Sequence, residues 1–328
     1  MQRREFLSLI GSAAALLPGV ARAQQPAMPV IGFLGSETLA DWADRVGAFR
    51  QGLKEKGYEE GRNVAIEYRW AEGDKERLPA LADDLVQRQV SVLVALGGTA
   101  SALAAKAATA TIPVVFRMAT DPVEAGLVAS LSRPGGNVTG VTTMGVELGS
   151  KQLELLHELA PAATVIALLV NPTNPEITRI LSRNLPLAGQ RLGLTLHVLN
   201  ASEERDFDSV FTKMKELHVG GLIIGADTFL NTRSERLAAL AVRHAIPSIS
   251  PYREFTRAGG LMSYGASIIG ASRQAGIYTG RILRGEKPSD LPIERPTLFE
   301  FVINVKSAKA LGLIVAPTLL SRADEVIE

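Results

Sequence analysis

The 328-residue sequence contains no cysteine, which excludes disulfide bonds, thiolate catalysis, cysteine-ligated zinc and a lipid-modified N-terminal cysteine. Aromatic residues make up only 5% of the chain, so each aromatic side chain near a predicted cleft carries weight as a candidate ligand contact. The 35 basic and 34 acidic residues nearly cancel, which argues against a general nucleic-acid-binding surface.

Sequence signatures of catalysis and metal binding are also missing. The four histidines are dispersed, no two have the spacing of metal ligands, and no G-x-S-x-G nucleophile elbow occurs. We therefore expect no catalytic residues, no metal site and no cofactor, and we interpret the protein as a non-enzyme.

The first 23 residues have the pattern of a signal peptide. Arg3 and Arg4 precede an apolar stretch, and Ala21-Arg22-Ala23 is a small-x-small cleavage site. The string R-R-E-F-L resembles the twin-arginine export signal; an ordinary Sec signal with two arginines by chance is the alternative. We expect export to the periplasm by the twin-arginine route and no membrane insertion after cleavage.

Short apolar runs alternate with helical patterns through the rest of the chain. Runs at Val30–Ser36, Val64–Trp70, Val90–Leu96 and Ile112–Phe116 predict four strands separated by helices, which is typical of a parallel sheet covered on both faces. The same series repeats between 165 and 250. The predicted fold class is α/β, with two doubly wound parallel-sheet lobes joined by a multi-strand hinge.

An Ile-Pro strand followed by a Gly-Gly turn and another strand occurs once in each half. We interpret Val138–Thr143 and Leu261–Ala266 as crossings between the lobes and as the floor of a cleft. A third crossing is predicted at Phe299–Ile303. These crossings give a first lobe of 24–143 plus about 267–295 and a second lobe of 144–266 plus about 296–328.

Three segments of the sequence carry a family resemblance: Ser130–Gly140, Glu294–Leu313 and Leu319–Glu328. They resemble the ABC transporter substrate-binding protein family. The resemblance implies the type I periplasmic binding fold and a solute receptor that delivers its ligand to the transmembrane subunits of an ABC permease. Some members of this family are linked to the uptake of aromatic amino acids.

Ligands of open parallel sheets bind beyond the carboxyl ends of the strands, so the loops at those ends supply the candidate site. The candidate ligand-binding residues are Ser36, Trp42, Gly98, Thr99, Thr120, Asp121, Thr143, Asn171, Asp227, Tyr252 and Tyr264. Gly98 and Thr99 begin a helix, where free N–H groups suit a carboxylate; a plain helix cap is the alternative.

The acidic and aromatic candidates each have a second interpretation. Asp227 could bind a ligand ammonium or cap the next helix, and Asp121 in T-D-P could simply hold a turn, as could Asn171. Trp42 and Tyr264 are possible walls for an aromatic ligand, although Trp42 lies on a helix face that also suits core packing.

Together these features predict a monomeric receptor that closes two lobes on a small solute, an amino acid or an aromatic carboxylate. Hinge closure on the solute would be the mechanism. A sensor that presents its closed form to a membrane signalling protein is an alternative, and a cleft hydrolase is a weaker one.

Overall fold

A computed structural model of the protein describes residues 28–328, and the predicted signal segment 1–23 lies outside them. The strands are β1 Val30–Gly35, β2 Ala65–Trp70, β3 Val92–Ala95, β4 Val114–Met118, β5 Val138–Thr142, β6 Val165–Val170, β7 Thr195–Asn200, β8 Gly221–Ile224, β9 Ser248–Ser250, β10 Met262–Gly265, β11 Glu300–Asn304 and β12 Glu325–Ile327. The helices are α1 Ala43–Glu55, α2 Leu78–Gln87, α3 Thr99–Ala108, α4 Gly149–Leu159, α5 Pro175–Arg191, α6 Asp206–Glu216, α7 Thr228–Thr232, α8 Ser234–Arg243, α9 Arg253–Arg257, α10 Ile268–Leu283, α11 Val305–Ala310 and α12 Pro317–Leu320.

The first sheet joins its strands in the order β2-β1-β3-β4-β5, and every neighbouring pair is parallel. Strands β3 and β4 are buried along their whole length, because α1 and α10 cover one face of the sheet and α2 and α3 the other. Continuous apolar runs are what a strand buried on both faces requires. The prediction of parallel-sheet α/β lobes is therefore confirmed.

The second sheet has the order β12-β11-β10-β9-β8-β6-β7. Its strands are parallel except for β10 and β11, which run antiparallel. This arrangement corrects the predicted third crossing at Phe299–Ile303. Because β11 already lies inside the second sheet, the chain passes between the lobes over 295–299 instead.

Helix α10 returns the chain to the first lobe and lies against α1 at a distance that requires glycine. A Cβ on Gly52 would stand 1.9 Å from the carbonyl oxygen of Arg273, and one on Gly276 would stand 2.1 Å from the carbonyl oxygen of Phe49. Arg273 Nη2 also donates to the carboxylate of Glu55 at 2.6 Å. This contact fixes α10 on the first sheet.

Three segments connect the lobes: 143–148, 266–267 and 295–299. Residues of all three line one cavity, so they run close together. The returning chain is bonded to β5, since the Thr142 amide donates to the Glu294 carbonyl at 3.0 Å. Within 28–328, none of the helices has the length and apolar character that crossing a membrane would need.

Candidate functional site

Most of the predicted site residues lie just beyond the carboxyl ends of strands, where the two lobes face each other. Ser36 follows β1, Thr120 follows β4, Asn171 follows β6 and Tyr252 follows β9, and all four side chains are buried. The approach of the lobes is close at Gly98, where an added Cβ would lie 3.2 Å from Thr228 Oγ1. The gap between these strand ends is the candidate site.

Two ion pairs cross this gap. Lys75 Nζ of the first lobe lies 3.6 Å from Asp227 Oδ2 of the second, and it donates to Thr173 Oγ1 at 3.3 Å. Glu37 Oε2 accepts from Arg233 Nη1 at 3.2 Å. Burial raises the pKa of Glu37 above its usual value, while the positive charge of Arg233 acts in the opposite direction.

Asp227 is occupied by protein partners on both of its carboxylate oxygens. Oδ1 accepts from the amides of Phe229 and Leu230 at 2.9 and 3.4 Å, which is the geometry of an N-cap for α7. The amide groups of Asn171 and Asn174 donate to Oδ1 and Oδ2 at 3.0 and 2.9 Å. The structure therefore favours the capping interpretation of Asp227 and places Asn171 in the same network.

On the first-lobe side of the gap, the first turn of α3 has fewer hydrogen-bond partners. Gly98 precedes α3 with φ of +88°, and no side chain caps this helix. Thr99 Oγ1 and Thr120 Oγ1 are 3.2 Å apart, and Thr143 Oγ1 donates to the Met118 carbonyl at 3.3 Å. The threonines are thus fixed to one another and to the strand ends beneath them.

Asp121 holds its own loop. Its Oδ1 accepts from the amides of Val123 and Glu124 at 2.7 and 3.3 Å, which is an Asx turn. The structure gives it the turn-making role that T-D-P suggests.

Trp42 is buried in the first lobe and does not form an open wall. Its ring packs edge-on against Phe33 and Trp70, with ring centroids 6.5 and 6.0 Å away. Two guanidinium groups cover it, because the Cζ atoms of Arg45 and Arg117 lie 4.9 and 5.6 Å from its centroid. Trp42 therefore serves as a platform for two arginines.

The two tyrosines have different positions. Tyr252 is buried at the gap, and burial raises its pKa to about 12, so its hydroxyl is neutral at ordinary pH. Tyr264 does not join the group, since its ring packs on Phe299 and Phe301 with centroids 6.1 and 6.3 Å away, beside Leu155 of α4.

Sequence reasoning missed Arg45 and Arg117, which lie over Trp42 on the first-lobe side of the gap, where Tyr252 and Glu254 of the second lobe act electrostatically on both. Both side chains are buried, and burial together with the positive charge of Arg45 lowers the pKa of Arg117 to about 10. The signal was present in the strand V-V-F-R-M, where Arg117 interrupts an apolar run. A charge in a buried strand is rare without a partner or a function.

The comparisons with known proteins agree with one another. A family model for ABC transporter substrate binding proteins matches residues 37–327. A tyrosine-binding protein of Clostridioides difficile is 27% identical over 266 residues, which are 81% of this chain and 75% of that protein. A conserved domain protein from Vibrio cholerae, whose crystal structure is known, matches with a TM-score of 0.81 and 26% identity, over 91% of this chain and 99% of the other. The crystal structure of an ABC domain from Streptococcus pneumoniae in complex with L-Trp matches with a TM-score of 0.81, 25% identity and the same coverage. The chain belongs to the ABC transporter substrate-binding protein family and has the type I periplasmic binding fold.

Proposed function

We propose that this protein is the exported solute receptor of an ABC importer, and that it captures a small organic carboxylate between its lobes for delivery to the permease. The observation that carries this proposal is the set of buried donors without hydrogen-bond partners at the gap: Ser36 Oγ, Trp42 Nε1, Arg45 Nη1, Arg117 Nε and Asn231 Nδ2. Buried donors are normally satisfied, so several unpaired ones on neighbouring residues indicate a site that can bind an acceptor group of a ligand.

The donors indicate which ligand group this site can bind. Guanidinium groups and helix N-terminal amides both suit a carboxylate. The tyrosine-binding protein and the L-Trp complex are relatives whose ligands carry that group, which supports an amino-acid-like or aromatic acid. Export by the twin-arginine route and a monomeric state belong to this proposal, as does a hinge made of the connecting segments.

A thermal-shift screen of the purified protein tests the proposal. The panel contains amino acids, aromatic and aliphatic acids, sugars and nucleosides. A true ligand at a hundredfold excess over its dissociation constant stabilises the folded state by about 2.7 kcal/mol, and we expect this response from carboxylates. A response to sugars alone would overturn the proposed solute class.

Variants locate the binding site. Thr99→Ala removes a hydroxyl at the start of α3 and should weaken binding of the ligand found in the screen. Thr212→Ala is the matched control, because Thr212 is exposed on α6 and bonds only to the Asp208 carbonyl. Equal affinities of the two variants in calorimetric titrations would show that α3 is not part of the site.

A further inference from the structure

Two arginines at the gap lack an acidic partner. Arg45 and Arg117 are 5% and 3% exposed. Within residues 28–328, no carboxylate oxygen lies within 4.0 Å of either guanidinium. The hydrogen bond that the structure gives them is from Arg117 Nη2 to the Leu96 carbonyl at 2.5 Å, and Arg45 Nη1 and Arg117 Nε have no partner. A buried charge without a counter-charge is strongly unfavourable.

The aromatic platform holds the arginines without neutralising them. Both guanidiniums lie over Trp42, which is itself fixed by Phe33 and Trp70. A cation–π contact orients a guanidinium, but the ring carries no net charge. The bond to Leu96 places Arg117 beside the chain that leads into α3, so the helix N-terminus adds further positive potential.

The buried acids that cross the gap are already matched. Glu37 pairs with Arg233, and Asp227 pairs with Lys75. These two pairs contribute no net charge. Both carboxylates are used in these pairs, so neither is free to bind a positively charged group on a solute.

Three further groups act electrostatically on the arginines. Tyr252 is neutral at ordinary pH because burial raises its pKa to about 12. Asp41 is exposed and accepts from Thr38 Oγ1 at 2.7 Å. Glu254 of the second lobe acts on both Arg45 and Arg117 from beyond ion-pair distance. Glu37 and Asp41 also act on Arg45, but Glu37 is matched by Arg233 and Asp41 is in contact with solvent. The two buried arginines therefore face one further carboxylate, Glu254, and one positive charge stays uncompensated.

We propose that the solute is a carboxylate monoanion without an ammonium group, held by Arg45 and Arg117. This inference rests on the proposed function and narrows its solute class. A monoanion cancels the remaining positive charge. A zwitterionic amino acid has no net charge, so it leaves that positive charge in place, and it also brings its ammonium group toward the two arginines. The solute of this protein would then differ in net charge from the tyrosine and L-Trp that its relatives bind, even where it carries the same aromatic ring.

The inference is tested with matched ligands that differ only in charged groups. One set is 3-(4-hydroxyphenyl)propanoate, L-tyrosine and tyramine; a second is indole-3-propanoate, L-tryptophan and tryptamine; a third is 4-methylpentanoate, L-leucine and 3-methylbutylamine. In at least one set we expect the acid to bind about tenfold or more tightly than the amino acid, and the amine not to bind. Calorimetric titration gives the three affinities.

The possible results separate the two proposals. If an amino acid binds as tightly as its deaminated acid, the charge inference fails and the receptor function stands. If no carboxylate binds and sugars or nucleosides do, both fail. A preference for the acid supports both.

Arginine variants test the assignment of the residues. Arg45→Met and Arg117→Met should each weaken binding of the preferred acid roughly thirtyfold or more, while Arg117→Lys, which keeps the charge, should retain part of the affinity. Arg50→Met is the control, because Arg50 also lies on α1 but is partly exposed and pairs with Glu60 at 2.6 Å. Circular dichroism confirms that each variant is folded. Unchanged affinity in folded Arg45→Met and Arg117→Met would overturn the assignment.

Discussion

At the scale of single residues, the buried side chain of Asp227 makes three kinds of interaction. It caps α7, accepts from Asn171 and Asn174, and faces Lys75 across the gap. Asp227→Ala should therefore lower the free energy of unfolding by about 3 kcal/mol, since it removes a cap and leaves a buried amine unpaired. Urea denaturation monitored by circular dichroism measures this change.

The control for that experiment is a cap outside the gap network. Ser267 accepts from the Gly270 amide at 3.1 Å at the start of α10, and Ser267→Ala should lower the free energy of unfolding by only about 1 kcal/mol. A similar loss in both variants would mean that the network around Asp227 adds nothing to the cap.

Residue roles in the site could be predicted only where local chemistry fixes them. T-D-P predicts a turn at Asp121, and Asp227 before a helix suggests a cap, because both use backbone amides two or three residues ahead. Trp42 and Tyr264 could not be placed from sequence, since each packs against residues that the fold brings from elsewhere. Arg117 could have been found as a charge in an apolar strand.

At the scale of secondary-structure elements, the contact between α1 and α10 depends on glycine. A methyl group on Gly52 would overlap the Arg273 carbonyl oxygen, which belongs to a rigid helix and cannot move alone. Gly52→Ala should therefore lower the free energy of unfolding by about 2 kcal/mol, as overpacking generally does. Thermal and urea unfolding of the variant measure the loss.

Gly47 provides the matched control on the same helix. It is exposed, and a Cβ there would meet no atom within 4 Å. Gly47→Ala should raise stability by up to about 1 kcal/mol, because alanine loses less backbone entropy in a helix. Opposite signs for the two variants are the expected result, and a stabilising Gly52→Ala would contradict the close contact.

The elements themselves follow from local sequence, but their partners do not. Apolar runs and helical spacing predicted β1–β4 and β6–β9 with most of the helices between them, because burial in a covered sheet leaves a clear pattern. The antiparallel β11 was misplaced, since its pattern does not reveal which sheet edge it joins. The return of α10 to the first lobe, by contrast, agrees with the assignment of 267–295 to that lobe, although the close approach at Gly52 and Gly276 was not predicted.

At the scale of the whole molecule, the proposed function predicts that the charges at the gap couple ligand binding to lobe closure. Arg45 and Arg117 are buried over the same Trp42 ring, and we expect the second lobe, which carries Tyr252 and Glu254, to complete that burial on closure. Without an anion this burial opposes closure, and with one it favours closure, because the buried charges are then matched. A ligand shifts such an equilibrium only through its different affinity for the two states.

Neutralising one arginine should therefore close the empty receptor. The Arg45 side chain makes no hydrogen bond within the described residues, so Arg45→Met removes an unmatched charge and leaves an apolar side chain of similar length over Trp42. We expect the ligand-free variant to show a smaller radius of gyration in small-angle X-ray scattering than the ligand-free wild type, with no further decrease when the acid is added. Arg50→Met should behave as wild type, with a decrease only on addition of the acid. An Arg45→Met protein that stays as open as the wild type would show that the interactions of the lobes, and not the charge of Arg45, keep the empty cleft open.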